Sequence, residues 1–246
     1  MDGIHPGSGS QRNFTACPIL QLSWAETFGQ ALTAVPILDL GWMNSLPRNR
    51  LGNIMRRAVF LDRDGVLVED VDFVTHPRGL RLLPGAPAAL ARLKDAGFWL
   101  VIVTNQAVVA RGLASEADVD QVNAGLARLI TRSGGPALDG IYSCPHHPNA
   151  SVPAYRIDCA CRKPKPGMLL RAAEEHGLDL SASFMVGDRI TDVIAGKRAG
   201  CRTALVRTGK HLDPPIETLE GPDTAVEPDR TCADLAAAAE WILHAA

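Results

Sequence analysis

The chain has 246 residues, a formal net charge of -2 at pH 7, 46% hydrophobic residues and 21% charged ones. That length holds one α/β domain with a sizeable core, and the near-neutral charge gives no basis for bulk nucleic-acid binding, so an anionic ligand has to be held by a local basic cluster. The most apolar early stretch, residues 31–42, is broken by Pro36 and Asp39 and is too short to cross a bilayer.

Residues 1 to about 54 are rich in Gly, Ser, Pro and Asn and show no sustained period. Two readings stand for them: an upstream extension before a true start at Met55, or a poorly ordered arm. The first residues lack the basic start of a secretory signal, and the expectation is a cytoplasmic monomer without a membrane or nucleic-acid partner.

From Met55 apolar runs alternate with helical stretches, the pattern of a parallel α/β sheet with one domain over residues 55–246. Strands are predicted over Ala58–Leu61, Trp99–Val103, Gly140–Ser143, Phe184–Val186 and Thr203–Val206. Each is a short, continuously apolar run, as strands buried on both faces require. Helices are predicted from Pro84 to Ala96, from Ser115 toward Thr131, from Pro166 to His176, from Thr191 to Ala199 and from about Thr231 to His244. Ser115 with Asp118 resembles a capping box, and Gly97, Gly177 and Gly200 stand where helices close. After Lys210 a Pro-rich loop precedes the last helix.

Chemistry-bearing residues fall on the loops. Asp62-Arg63-Asp64-Gly65 follows the first strand, and Gly65 allows the bend that puts two carboxylates on one turn. One carboxylate can attack phosphorus while the other protonates the leaving oxygen. Thr104-Asn105-Gln106 ends the second strand and offers a hydroxyl and main-chain amides to phosphate oxygens. Arg162-Lys163-Pro164-Lys165-Pro166 presents a compact ammonium on a stiff loop, although a solvated basic loop is the plainer reading of that segment alone. Gly187-Asp188-Arg189-Ile190-Thr191-Asp192 follows the fourth strand; Asp188 is an oxygen ligand for Mg²⁺ opposite Asp62. Two readings stand for Asp192, one turn further on: a carboxylate that supports the metal ligands from behind, or a first-turn carboxylate favoured by the helix dipole, the second being expected. Ligands of open α/β sheets bind at the carboxyl ends of strands, so these loops are expected to converge.

Three cysteines and a histidine cluster in sequence: Cys144, His146, Cys159 and Cys161. In a reducing compartment three sulfurs and an imidazole suit a closed, structural Zn²⁺ site better than disulfides. His147 is a rival ligand.

In this order the motifs resemble the haloacid dehalogenase superfamily. More closely, the stretches Phe60–Gly65, Val103–Gln106, Ala110–Gly112, Asp139–Tyr142, Cys144–Pro148, Cys161–Pro164, Pro166–Leu169, Met185–Asp188 and Val206–Lys210 are similar to the heptose bisphosphate phosphatase and histidinol phosphatase family. The resemblance spans roughly residues 56–212. It implies a Rossmann-like parallel sheet with helices on both faces, no large cap domain and a small zinc loop at residues 144–161. It implies Asp62 as nucleophile, Asp64 as acid and then base, and Thr104 and Lys163 as holders of the phosphoryl group. Mg²⁺ would be bound by Asp62, the Asp64 main-chain carbonyl and Asp188, and Zn²⁺ by Cys144, His146, Cys159 and Cys161. Asn105, Arg111, Arg162 and Arg189 would contact a small sugar phosphate, with Arg162 and Arg189 on a second, non-transferred phosphate. The zinc loop would pin these contacts and act as the main cover of an open pocket. Two stretches depart from the family: Ala107-Val108-Val109, where Ser-Gly-Ile is common, and residues 72–83. A non-catalytic zinc-stabilised binding module is the reading from another class.

Overall fold

The strand Ala58–Leu61 (β1) lies at the centre of a six-stranded sheet, every residue of it buried. The computed structural model describes residues 55–212 and 225–245; the amino-terminal segment discussed above and most of the Pro-rich loop lie outside them. The other strands are Trp99–Asn105 (β2), Gly140–Cys144 (β3), Phe184–Gly187 (β4), Arg202–Val206 (β5) and Arg230–Cys232 (β6). All pairings are parallel, in the order β3-β2-β1-β4-β5-β6. This is the doubly wound order in which the strand ends around β1 form the ligand crevice.

Among the described residues six α-helices connect and cover the strands: Ala86–Asp95 (α1), Ala107–Ala110 (α2), Glu116–Arg132 (α3), Gly167–His176 (α4), Ile190–Ala199 (α5) and Leu235–Ala245 (α6). Side-chain alternation along the strands divides the core into two layers. Val59, Leu61, Leu100, Ile102, Phe184 and Val186 pack with residues of α1, α3 and α6 on one face. Ala58, Phe60, Val101, Val103 and Met185 pack with residues of α4 and α5 on the other. Burying each large aliphatic side chain there contributes roughly 1.5–3 kcal/mol, and covering both faces explains why the strands read as unbroken apolar runs. The two halves of the sheet are also pinned by Ser183, whose Oγ accepts the Ala58 main-chain N–H across 125 residues at 2.9 Å.

The predicted capping box is present: Ser115 Oγ accepts from Asp118 N at 3.2 Å, and Asp118 Oδ2 accepts from Ser115 N at 2.8 Å. The last helix is shorter than expected. Arg230–Cys232 pairs with β5 as an edge strand, and α6 begins only after Asp234, whose Oδ1 accepts the Ala237 N–H at 2.8 Å. The helical turn α2 was not predicted; Val108 and Val109 are buried there against Val119, Ala114 and Tyr155. The departing Ala-Val-Val sequence thus seeds a small satellite core beneath the cysteine-bearing loop. Among the described residues no connection carries an inserted domain.

Candidate active site

β1 ends at Asp62, whose N–H donates to Val186 O at 3.0 Å and ties the first chemical loop to β4. The next turn needs Gly65: its φ is +78°, and a Cβ there would lie 2.5 Å from Asp188 Oδ2. At the end of β4, a Cβ on Gly187 would stand 2.1 Å from the Cβ of Asp192. Both glycines let the acidic loops approach until Asp62, Asp188 and Asp192 have carboxylate oxygens within 4.8 Å of one another, all buried.

Lys163 enters this acidic cluster from the loop before α4. Its ammonium is 2.9 Å from Asp62 Oδ1 and 2.6 Å from Asp192 Oδ1, and donates to Val103 O at 2.8 Å. Three oxygens surround a group with three N–H bonds. Burial works against the charge, but Asp192 and Asp62 outweigh it and hold the pKa above the usual lysine value. Asn105 splints the same loop: its Nδ2 donates to Lys163 O at 3.0 Å and its Oδ1 accepts from Lys163 N at 3.1 Å. The solvated-loop reading therefore fails, because Lys163 is 1% exposed.

Asp192 does occupy the first turn of α5, where its Oδ2 accepts the Arg189 N–H at 3.0 Å. The helix-dipole expectation is nevertheless incomplete, since its other oxygen reaches Lys163 and the residue is 1% exposed. Asp188 Oδ2 accepts from Lys210 N at 2.7 Å, while Asp188 Oδ1 is buried without a hydrogen-bond partner. Desolvation, then Asp192 and Asp62, push the Asp188 pKa up. A buried, unsatisfied carboxylate oxygen facing a second carboxylate is what a hard divalent cation relieves, so the donor set fits Mg²⁺ between Asp62 and Asp188.

Asp64 points its carboxylate into a different network. Arg63 Nε donates to its two oxygens at 3.1 and 3.2 Å and Arg63 Nη2 to Oδ2 at 2.8 Å; Gln106 Nε2 adds a bond to Oδ2 at 3.1 Å. Burial raises the Asp64 pKa against the opposing pull of Arg63.

One pocket gathers these groups. Asp62, Asp64, Thr104, Asn105, Arg111, Arg162, Lys163, Asp188 and Arg189 all line it, as do Gln106, Asp192 and Lys210. Arg162 is held by a bond from Nη1 to His146 O at 3.1 Å. Arg111 lies over the Phe73 ring, 5.0 Å from its centroid. Lys210 Nζ reaches Asp70 at 3.3 Å and Asp72 at 2.5 Å. Arg63, Gln106 and Lys210 were not singled out from the sequence, although each lies inside a quoted motif. Asn105, expected at the substrate, has both side-chain amide atoms engaged by the Lys163 main chain.

Beside the pocket, Cys144, His146, Cys159 and Cys161 form a second buried cluster. The three sulfurs are 3.0 to 3.4 Å apart, and His146 Nδ1 is 3.8 Å from two of them. Those separations exceed a disulfide bond of about 2.05 Å and suit four ligands around one metal ion. His147, the rival, turns its Nδ1 to the Asn149 N–H at 3.0 Å and lines the pocket instead.

Residues 160–238 match the HAD-hydrolase-like family model. The D-glycero-D-manno-heptose-1,7-bisphosphate 7-phosphatase of Thermosynechococcus vestitus is 43% identical over 191 residues, 76% of this chain and 95% of that protein. The D-glycero-beta-D-manno-heptose-1,7-bisphosphate 7-phosphatase of Pasteurella multocida is 46% identical over 159 residues, 64% of this chain and 85% of its own. Among solved structures, D,D-heptose 1,7-bisphosphate phosphatase from B. bronchiseptica, complexed with magnesium and phosphate, superposes with a TM-score of 0.65 at 37% identity, covering 77% of this chain and 99% of the other. At 43% identity over 76% of its length, the chain belongs to the heptose-1,7-bisphosphate 7-phosphatase family of HAD-like phosphatases.

Proposed function

We propose that the protein hydrolyses the 7-phosphate of D-glycero-D-manno-heptose 1,7-bisphosphate through an aspartyl-phosphate at Asp62. The observation that carries this reading is the buried convergence of Asp62, Lys163 and Asp188 in a pocket that Asp64, Arg162 and Arg189 also line. Identities of 43% and 46% to phosphatases of that name support the substrate.

In the proposed sequence Asp62 attacks phosphorus, and the bond from phosphorus to the sugar oxygen breaks. Asp64 turns from Arg63 toward that oxygen and gives it a proton. Water then attacks the phosphorus of the acyl phosphate, losing its proton to Asp64, and frees Asp62 and inorganic phosphate. Thr104 and Lys163 hold the equatorial oxygens, which suits a transfer governed by positioning and charge. A Mg²⁺ held by Asp62, Asp188 and the Asp64 carbonyl would supply positive charge to the same oxygens. Asn105 keeps Lys163 in place by its two main-chain bonds. Arg162 and Arg189 take the phosphate that is not transferred, and Arg111 borders the sugar. Cys144, His146, Cys159 and Cys161 would hold Zn²⁺ as a structural ion, and His146 O fixes the Arg162 guanidinium. The product feeds synthesis of a heptose-containing surface polysaccharide in the cytoplasm.

Phosphate release with Mg²⁺ from heptose 1,7-bisphosphate, histidinol phosphate and a plain hexose phosphate tests this. The bisphosphate should give the highest kcat/KM; equal or better turnover of histidinol phosphate would overturn the substrate, and no release from any would overturn the activity.

A further inference from the structure

Between the two chemical groups Asp64 and Thr104 stands one amide that no motif-based assignment uses. Gln106 is 5% exposed and directly precedes α2. Its Nε2 lies 3.1 Å from Asp64 Oδ2 and 3.0 Å from Thr104 Oγ1, while its Oε1 accepts from Arg63 Nη2 at 2.9 Å. A guanidinium has donors and no acceptor, so the atom facing Arg63 has to be the amide oxygen, and the NH₂ group is thereby turned toward Asp64 and Thr104. Arg63 is itself fixed: it is 1% exposed and its Nη1 donates to Asn123 Oδ1 on α3 at 3.2 Å.

The consequence for Thr104 is directional. With its oxygen already accepting from Gln106, the hydroxyl has its proton left to donate, and the side chain lines the pocket. A phosphoryl oxygen needs a donor there. The consequence for Asp64 is positional. The carboxylate lies in the fork of Arg63 with a second contact from the Gln106 amide, and its resting place is defined relative to Thr104 by that one NH₂ group.

We propose that Gln106, turned by Arg63, is a positioning residue that sets the Thr104 hydroxyl as a phosphate donor and fixes the resting place from which Asp64 turns to the leaving oxygen. This rests on the phosphatase reading above and deepens it. It gives each member of the Asp62-Arg63-Asp64 and Thr104-Asn105-Gln106 motifs a physical task, with Asn105 and Gln106 acting through Lys163 and through Asp64 with Thr104.

The test compares Gln106→Leu and Gln106→Glu with the wild type on two substrates: heptose 1,7-bisphosphate, whose alkoxide leaving group needs a proton, and 4-nitrophenyl phosphate, whose phenolate does not. On the heptose substrate kcat should fall by about 10²-fold with KM within about threefold, in the range of a lost acid–base contribution. On the aryl phosphate the loss should be about tenfold or less. An equal loss on both substrates, a change in KM alone, or no loss would overturn the proposal. Gln106→Glu keeps the side-chain volume, so a folding defect in Gln106→Leu does not decide the matter. A crystal structure of either variant supplies a readout independent of turnover: Asp64 and Thr104 should leave their wild-type rotamers, and their persistence would sink the idea. A wild type inactive on both substrates would instead count against the phosphatase reading, with the crystal structure still deciding the role of Gln106.

Discussion

Lys163 and Asp192 form a 2.6 Å ion pair in which each side chain is 2% exposed. Asp62 lies on the other side of the same ammonium at 2.9 Å. Removing one partner of a buried pair strands the other charge and costs about 3–5 kcal/mol. Lys163→Met should therefore destabilise the metal-free protein by about that amount, with Mg²⁺ recovering part of it, as read by denaturant unfolding with and without the ion. Metal-free stability equal to the wild type would show that the ion pair contributes nothing. Turnover should be lost together with the positive charge.

The acidic cluster also predicts a pH dependence. Desolvation first, and then Asp192 and Asp62, push the Asp188 pKa up to about 8 in the folded chain. A carboxyl group with a raised folded pKa adds stability below its unfolded value, near 3.9, and that contribution is lost as pH rises through 8. Mg²⁺ binds the ionised form and removes the penalty. The rise in Tm on adding Mg²⁺ should thus be larger at pH 8 than at pH 5, a difference to which Asp192, pushed up to about 6 by burial in the same cluster, adds in the same direction. A pH-independent rise would contradict the assignment of Asp188 as the ligand.

Asp62→Asn keeps the shape of the side chain and removes its nucleophilic charge. Turnover should drop by more than about 10³-fold. Without Mg²⁺ the melting temperature should hold or rise, because Asp192 still pairs with Lys163 and one of three crowded carboxylates is gone. Retained turnover would move the covalent step elsewhere.

At the cysteine cluster, elemental analysis should find about one zinc per chain, as four protein ligands close a tetrahedral shell. Cys159→Ser or a strong chelator should lower the melting temperature. It should also raise KM for the bisphosphate more than for a monophosphate, because Arg162 is bonded to the carbonyl of His146, a member of that cluster. Unchanged KM after full removal of zinc would separate the cluster from the pocket.

The central strands were legible because burial on both faces leaves a run such as Ala58–Leu61 with no polar residue to blur it. Edge strand β6 was not, since Arg230 and Thr231 are exposed and three residues carry no period. Asp62, Asp64, Lys163 and Asp188 were legible as residue types that phosphoryl transfer demands. The partners of those residues were not. Nothing in the spacing tells that Asp192 turns one oxygen to its helix and the other to Lys163, or that Arg63 looks inward to Asn123 at 3.2 Å. Such pairings depend on α3 and α5 being docked, and a linear motif holds no record of docking.

The position of β1 has a consequence for synthesis. Its pairing with β2 becomes possible soon after it is made, but its other edge waits for β4, and Ala58 waits for Ser183, 125 residues downstream. Contacts of such separation are slow to form. Until then Asp62 exists without Asp188 and Asp192, so the acidic cluster of the pocket is unbuilt in the nascent chain and is completed only by the last third of the sequence.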